Sequence, residues 1–196
     1  VGSSMPIRDL DAFGLPEGKP LRVFGNRGVS GIDGLVSTAG GLALGSSWEE
    51  GSQGDSQGDS GDRPTVGVLG DLAFLHDMNG LLALRSFRPS LTLVVVNNDG
   101  GGIFQTLPVR DFEPAFTRYF TTPHGLDFQT SAELYGIPFA RAGSVQELKE
   151  LLIRSMESSG PVILEIRTEA EEVHRRRRDL VSAVVNAMKD LKPSLE

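Results

Sequence analysis

The sequence predicts an α/β fold: an open, mostly parallel sheet with helices on both faces. Two observations predict it. Strand-like and helix-like segments alternate almost throughout the chain, and the apolar runs Thr65 to Leu69 and Leu91 to Val96 are short and continuous, as strands covered on both sides by helices are. Each of these runs also ends in a loop of Gly, Asp or Asn, first Gly70-Asp71 and then Asn97-Asn98-Asp99-Gly100.

In chain order, Val1-Gly2 reads as the end of a strand and Ser3-Ser4 as the cap of a helix running to about Phe13. Pro6 falls in its first turn, where a missing N–H costs little. Residues 14–20 form a loop, Leu21 to Phe24 a short strand, and 25–34 a Gly-rich turn into a helix of small residues, Leu35 to Leu44. That helix can pack closely on a sheet, and its first N–H groups are open to an anion. Ser46 to Arg63 has almost no apolar content beyond Trp48, so it cannot bury enough surface to offset the entropy of ordering. It is expected to be a disordered insertion at 46–63. An apolar-periodic run from about Ala73 to Phe87 gives a helix, ended by Pro89. Phe116, Tyr119 and Phe120 recur at helical spacing, as core residues do. Thr130 with Glu133 and Ser144 with Glu147 are capping boxes opening two helices, with a strand from Ile137 to Ala142 between them. A strand from Pro161 to Arg167 follows, and Thr168 with Glu171 opens a last helix. Arg175 to Arg178 lies in that helix, either as a solvated face or as a partner-binding patch.

Composition excludes several classes. A chain of 196 residues can build one core without disulfides or a structural metal. The absence of Cys removes a thiolate nucleophile and a Cys-ligated zinc, and fits a reducing compartment. A net charge of −7 argues against nucleic acid or an anionic membrane as the main partner. No apolar run reaches the about 18 residues of a membrane span. The expected class is a cytoplasmic α/β domain.

Two parallel neighbouring strands would put Asp71 and Asn98 at the same sheet edge, beyond the strand carboxyl ends where such sheets bind ligands. Asp71 offers an anionic oxygen, Asn98 a neutral amide oxygen, and the Gly run a backbone able to turn a carbonyl inward. Those are ligands for Mg²⁺ (or Mn²⁺), which fills its remaining positions with phosphate oxygens and water. Taken singly, Gly70-Asp71 is a turn and Asn-Asn-Asp-Gly a loop tolerant of positive φ. One helix and one strand apart, they become specific. His76 and His124 are of the type that serves as general base, but the sequence identifies no partner carboxylate, so both stay outside the candidate site.

The stretch resembles the thiamine diphosphate binding motif, a Gly-Asp followed at a set interval by paired Asn. In that motif the Asp, the second Asn and a nearby carbonyl hold Mg²⁺ on the cofactor's diphosphate. Asp71, Asn98 and Gly100 match these three, with Gly70, Leu72 and Gly101 beside the cofactor, although many members have Gly where this chain has Leu72. A narrower resemblance joins Gly25-Asn26-Arg27-Gly28, Ser30-Gly31-Ile32-Asp33-Gly34, Gly70-Asp71-Leu72, Asn97-Asn98 and Gly101-Gly102-Ile103-Phe104 in this order. It is to the C-terminal cofactor domain of the 2-succinyl-5-enolpyruvyl-6-hydroxy-3-cyclohexene-1-carboxylate synthases, the MenD enzymes of menaquinone biosynthesis, and it covers nearly the whole chain outside 46–63.

This resemblance implies a decarboxylating carboligation in which thiamine diphosphate supplies the electron sink and the succinyl unit of 2-oxoglutarate is added to isochorismate. Arg8 and Arg27 match arginines that bind substrate carboxylates, a task suited to the planar guanidinium fork. Ser4 matches a hydroxyl in the same pocket. Ile32 matches the residue that props the cofactor in its bent form. Ile103, Phe104 and Leu107 match the apolar wall facing isochorismate, and Ile103 also borders the cofactor. For Arg8 a helix-surface charge, and for the four apolar residues ordinary core, stay open as alternatives.

In the family a Glu on a separate pyrimidine-binding domain starts the chemistry, and nothing in this chain resembles that domain. No catalytic residue is therefore assigned. Residues 1–13 are expected to be the end of a preceding domain and a linker helix, and 14–196 the thiamine diphosphate and Mg²⁺ domain. The implied whole is a homodimer or homotetramer with pyrimidine-binding and middle domains, and the isolated chain is expected to be inactive. Two other readings stay open: the cofactor domain of another thiamine diphosphate decarboxylase or synthase, and a non-catalytic interaction module that retains the fold.

Overall fold

A computed structural model describes residues 1–14, 21–26, 28–29, 31–49 and 64–190. In chain order the regular elements are α1 (Met5–Phe13), α2 (Leu35–Glu49), β1 (Thr65–Gly70), α3 (Asp71–His76), α4 (Leu81–Phe87), β2 (Leu91–Asn97), α5 (Phe128–Tyr135), β3 (Phe139–Ala142), α6 (Val145–Met156), β4 (Val162–Arg167) and α7 (Ala170–Asp190). The strands form one parallel sheet in the order β1-β2-β4-β3. The connection from β1 to β2 and that from β3 to β4 travel across the sheet in opposite directions. Right-handed crossovers therefore put their helices on opposite faces. Leu91, Leu93 and Val95 point into the core shared with Leu35, Val36, Phe74, Leu84 and Phe128. On the other face Thr92 Oγ1 donates to Ser155 Oγ of α6 at 2.8 Å.

The predicted class is the observed one, with differences that share a cause. Leu21 to Phe24 is not a strand: it is assigned to no ladder, Leu21 is 82% exposed, and the Val1 amino group donates to Phe24 O at 2.7 Å. Ser3 and Ser4 do not cap α1. Ser4 has φ 74° and no capping bond, while Ser3 Oγ donates to Asn26 O at 3.0 Å. The helix expected up to Phe87 is two, split by a 3-10 turn at Met78–Gly80. There Asp77 leaves the helix to accept Ser37 N–H at 2.6 Å and Ser37 Oγ at 3.0 Å. α2 continues to Glu49, so 46–49 are helical and not part of a disordered insertion, and 50–63 lie outside the described residues. Asp127, not Thr130, caps α5, accepting Gln129 N–H at 3.1 Å. The Ser144 cap forms as predicted, accepting Glu147 N–H at 3.1 Å. Within the Arg run, Arg175 and Arg176 lie on an exposed face and pair with Glu172 of the same helix, while Arg177 pairs with Asp9 of α1 and lies over the Phe13 ring.

Candidate functional site

β1 and β2 end level, with Gly70 opposite Val96, so the loops that follow open on one sheet edge. Asp71 is the first residue of α3 and is 2% exposed. Both of its oxygens are engaged. Oδ1 accepts Leu72 N–H at 2.8 Å, and Oδ2 accepts the N–H groups of Gly100 at 2.7 Å and Asn98 at 3.2 Å. The loop after β2 thus wraps around the carboxylate that starts α3.

A second crowding lies beside it. The Asn98 amide oxygen stands 3.2 Å from Asp71 Oδ2 and 2.8 Å from the Gly100 carbonyl oxygen, facing acceptors alone. Turning the amide over would convert both contacts into hydrogen bonds, since the two ends of an amide are assigned by their neighbours. A hard divalent cation relieves the same crowding, because neighbouring ligands in an octahedron of about 2.1 Å bonds stand roughly 3.0 Å apart. One carboxylate, one amide and one carbonyl suit Mg²⁺ or Mn²⁺ and not zinc, which favours nitrogen and sulfur. Among the described residues no cluster of three His, Cys, Asp or Glu competes. Gly100 is required in this arrangement: its φ is 132°, and a Cβ there would stand 2.1 Å from the Thr121 carbonyl oxygen. A Cβ at Gly102 would come within 2.0 Å of Asn98 Nδ2.

Two further groups brace the loop. His124, with 8% of its side chain exposed, accepts Leu126 N–H on Nδ1 at 3.0 Å, so its proton sits on Nε2 and points at Asp71 Oδ2, 3.2 Å away. Asp99 Oδ1 accepts the N–H groups of His124 and Gly125 at 3.1 and 2.7 Å. From within the sheet, Asn97 Nδ2 donates to Glu165 Oε1 at 2.6 Å, while Asn97 Oδ1 accepts Asp99 N–H at 3.0 Å. Glu165 is fully buried and receives Arg141 Nε, whose guanidinium is pushed up in pKa chiefly by that bond. Sequence reasoning set His124 aside and missed Glu165. His124 gives no local signal, its partner being 53 residues away, whereas Glu165 does give one as a lone acid in an apolar strand.

The profile of the thiamine pyrophosphate enzyme C-terminal TPP binding domain matches residues 18–166. The chain belongs to this family. Thiamine pyrophosphate is thiamine diphosphate, so the sheet edge just described belongs to a thiamine diphosphate-binding domain. This TPP-binding domain is 46% identical over 184 residues to 2-succinyl-5-enolpyruvyl-6-hydroxy-3-cyclohexene-1-carboxylate synthase of Halobacterium salinarum, covering 94% of the chain and 29% of that protein. It is 42% identical over 181 residues to the synthase of the same name from Roseiflexus sp. (strain RS-1), covering 92% and 29%. The domain therefore spans about 29% of the length of the curated relatives it matches. Among solved structures, a putative thiamin diphosphate-dependent enzyme isolated from Mycobacterium smegmatis superposes with TM-score 0.63 at 24% identity, covering 86% of this chain and 28% of that one. Benzoylformate decarboxylase from Polynucleobacter necessarius does so with TM-score 0.60 at 20% identity, covering 72% and 24%. These two share the fold.

The remaining predicted residues of the TPP-binding domain lie at several places. Gly70 precedes α3 in extended conformation, Leu72 lends its N–H to Asp71, and Gly101 N–H donates to Thr121 O at 2.7 Å. Ile103 and Phe104 are half-buried on a 3-10 turn, Gly102–Thr106, with Phe104 edge-on to Phe120 at 5.6 Å, and Leu107 just beyond is exposed. Ile32 packs partly against the core ahead of α2. Ser4 and Arg8 form a separate pair, Arg8 Nη1 donating to Ser4 O at 2.6 Å. Gly2 N–H donates to Val68 O at 2.7 Å, which holds the start of α1 beside the carboxyl half of β1. Arg27 lies outside the described residues, next to Asn26, whose Nδ2 donates to Thr38 Oγ1 of α2 at 3.2 Å.

Proposed function

We propose that this domain serves a thiamine diphosphate-dependent synthase of menaquinone biosynthesis, which decarboxylates 2-oxoglutarate and adds the succinyl unit to isochorismate. The observation that carries the reading is the meeting of Asp71 Oδ2, the Asn98 side-chain amide and the Gly100 carbonyl in a chain 46% identical to a synthase of that name. Asp71, Asn98 and Gly100 would hold Mg²⁺ or Mn²⁺, with Gly70, Leu72 and Gly101 beside the diphosphate. Ile32 and Ile103 border the cofactor's rings. Ile103, Phe104 and Leu107 form the apolar wall for isochorismate, and Ser4, Arg8 and Arg27 bind the carboxylates of the substrates.

When bound, the cofactor supplies an electron sink for the decarboxylation. The chain's own residues bind and orient. Asp71 is the one anionic ligand among the three and offsets the ion's charge, while Asn98 and Gly100 add oxygens without further charge, leaving the ion able to attract diphosphate. His124 is engaged at both nitrogens, with Asp71 and with Leu126 N–H, and so orients the carboxylate rather than moving a proton. We assign the other domains of the enzyme, a homo-oligomeric assembly and a cytoplasmic location to the same proposal.

The complete enzyme, supplied with thiamine diphosphate and Mg²⁺, tests it. Release of carbon dioxide from 2-oxoglutarate should be coupled to loss of isochorismate, and chelation should stop both. Cofactor binding without consumption of isochorismate would overturn the synthase reading and leave another thiamine diphosphate decarboxylase or synthase.

A further inference from the structure

We propose that Glu165 is a positioning residue for the cation-binding loop, acting through Asn97. The proposal rests on the cation site proposed above. A fully buried carboxylate in a central strand needs a reason, because well-packed apolar residues often stabilise such a position as well as an ion pair does. Glu165 has a directional task. Its Oε2 is taken by Arg141 Nε, and its Oε1 accepts Asn97 Nδ2 at 2.6 Å, with Arg167 Nε more distant from the same oxygen at 3.5 Å.

That bond sets which way the Asn97 amide faces. With Nδ2 committed to Glu165, Oδ1 is the end presented to Asp99 N–H, 3.0 Å away. Asp99 and Gly100 have φ of 58° and 132°, two consecutive residues in the left-handed half of backbone space. This turn brings the Gly100 carbonyl back to the Asn98 side-chain amide, at 2.8 Å. If the Asn97 amide turned over, its NH₂ would meet Asp99 N–H donor to donor, and the bond that supports the turn would be lost. Asn97 itself donates no oxygen to the proposed ion, so the first Asn of the pair works by shaping the loop.

The geometry makes Glu165→Gln an informative change. Its single side-chain oxygen is drawn to Arg141, the nearer of the two guanidinium groups, and its NH₂ is then left facing Asn97. The Asn97 amide must invert to accept from it. Adding Asn97→Asp restores both bonds, since a carboxylate at position 97 accepts from the new amide and from Asp99 N–H.

The experiment is a calorimetric Mg²⁺ titration of the complete protein at saturating thiamine diphosphate, with a thermal melt of each preparation. Asp71→Asn marks the site itself and should lose Mg²⁺-dependent binding. Glu165→Gln and Asn97→Ala should each raise the Mg²⁺ Kd about tenfold or more, the usual effect of removing an outer partner of a metal ligand. The double variant Glu165→Gln/Asn97→Asp should recover most of the affinity. Wild-type Mg²⁺ affinity in Glu165→Gln and Asn97→Ala, with only the melting temperature lowered, would reduce Glu165 to a structural residue and overturn the proposal. Failure of the double variant to recover would do the same. If Glu165→Gln does not fold, Asn97→Ala decides alone, because it breaks the relay while leaving the Glu165–Arg141 pair in place. Retained binding in Asp71→Asn would remove the cation site, a distinguishable result that also ends the proposal.

Discussion

Asp71 Oδ2 accepts Gly100 N–H at 2.7 Å, so the carboxylate proposed to hold an ion also folds the loop that carries the neighbouring oxygens. Asp71→Ala therefore has two effects. It removes the one anionic ligand, and it strips the acceptor from Leu72, Asn98 and Gly100 N–H and from His124. Each buried donor left unpaired costs about 1–3 kcal/mol. Asp71→Ala should abolish Mg²⁺-dependent cofactor binding and lower the melting temperature together. Asn98→Ala should weaken binding less. Calorimetry beside a melt reads both, and unchanged cofactor affinity in Asp71→Ala would sink the ligand assignment.

Gly100→Ala should be among the most damaging single changes in the domain. The left-handed φ alone costs roughly 1–3 kcal/mol, and the added Cβ would overlap the Thr121 carbonyl at 2.1 Å. Chemical denaturation should show a loss of more than about 2 kcal/mol, a size tied to strain and overpacking. A variant as stable as wild type would mean that the loop has another conformation at hand.

His174 gives a pH dependence. Burial, then Arg110 and Arg178, hold its pKa below the ordinary value of about 6.5. Arg110 Nη1 stands 2.9 Å from His174 Nε2, which must accept while the ring is neutral and would repel the guanidinium once protonated. The folded state thus binds fewer protons than the unfolded chain between the lowered pKa and about 6.5, so stability rises with pH across that window and falls as pH drops through it. Urea denaturation at pH 5.5 and 7.5 should show this slope in wild type and a smaller one in His174→Gln. Equal slopes would exclude His174 as the source.

Arg27 separates the synthase reading from a broader one. If it pairs with a substrate carboxylate, Arg27→Lys should lose roughly 1.5–3 kcal/mol in kcat/KM for 2-oxoglutarate or isochorismate, the worth of a hydrogen bond to a charged group. Cofactor affinity should hardly move, the reverse of the Asp71 result. Steady-state kinetics with each substrate varied in turn is the measurement, and unaltered constants for both would leave Arg27 structural.

What the sequence reveals and what it hides divide along sequence separation. The strands are legible because a buried parallel strand is a short apolar run wherever its neighbours come from: 65–69, 91–96, 137–142 and 161–167 all lie within two residues of the observed bounds at each end. That Asp71 and Asn98 share an edge follows from two such runs being neighbours. Leu21 to Phe24 has the same local character and no ladder, since pairing is decided by partners and not by propensity. The helix break at Asp77 depends on Ser37, 40 residues back, and the place of His124 depends on Asp71, 53 residues back. Neither leaves a mark in its own neighbourhood.

The span between Asp71 and Gly100 is 29 residues, whereas the Asp9–Arg177 pair joins points 168 residues apart. Closing the shorter span is cheaper in chain entropy by about 1.5 kcal/mol. It also lies within a single crossover, β1 to β2, whose strands are direct neighbours. The half of the domain that carries Asp71 and Gly100 can therefore assemble as a local unit, and an ion held there as proposed would add to its population by mass action before α1 and α7 meet. Pulsed hydrogen exchange during refolding should find the Gly100 amide protected ahead of the Val173 amide at the start of α7. A ligand site so placed can help nucleate the fold that surrounds it.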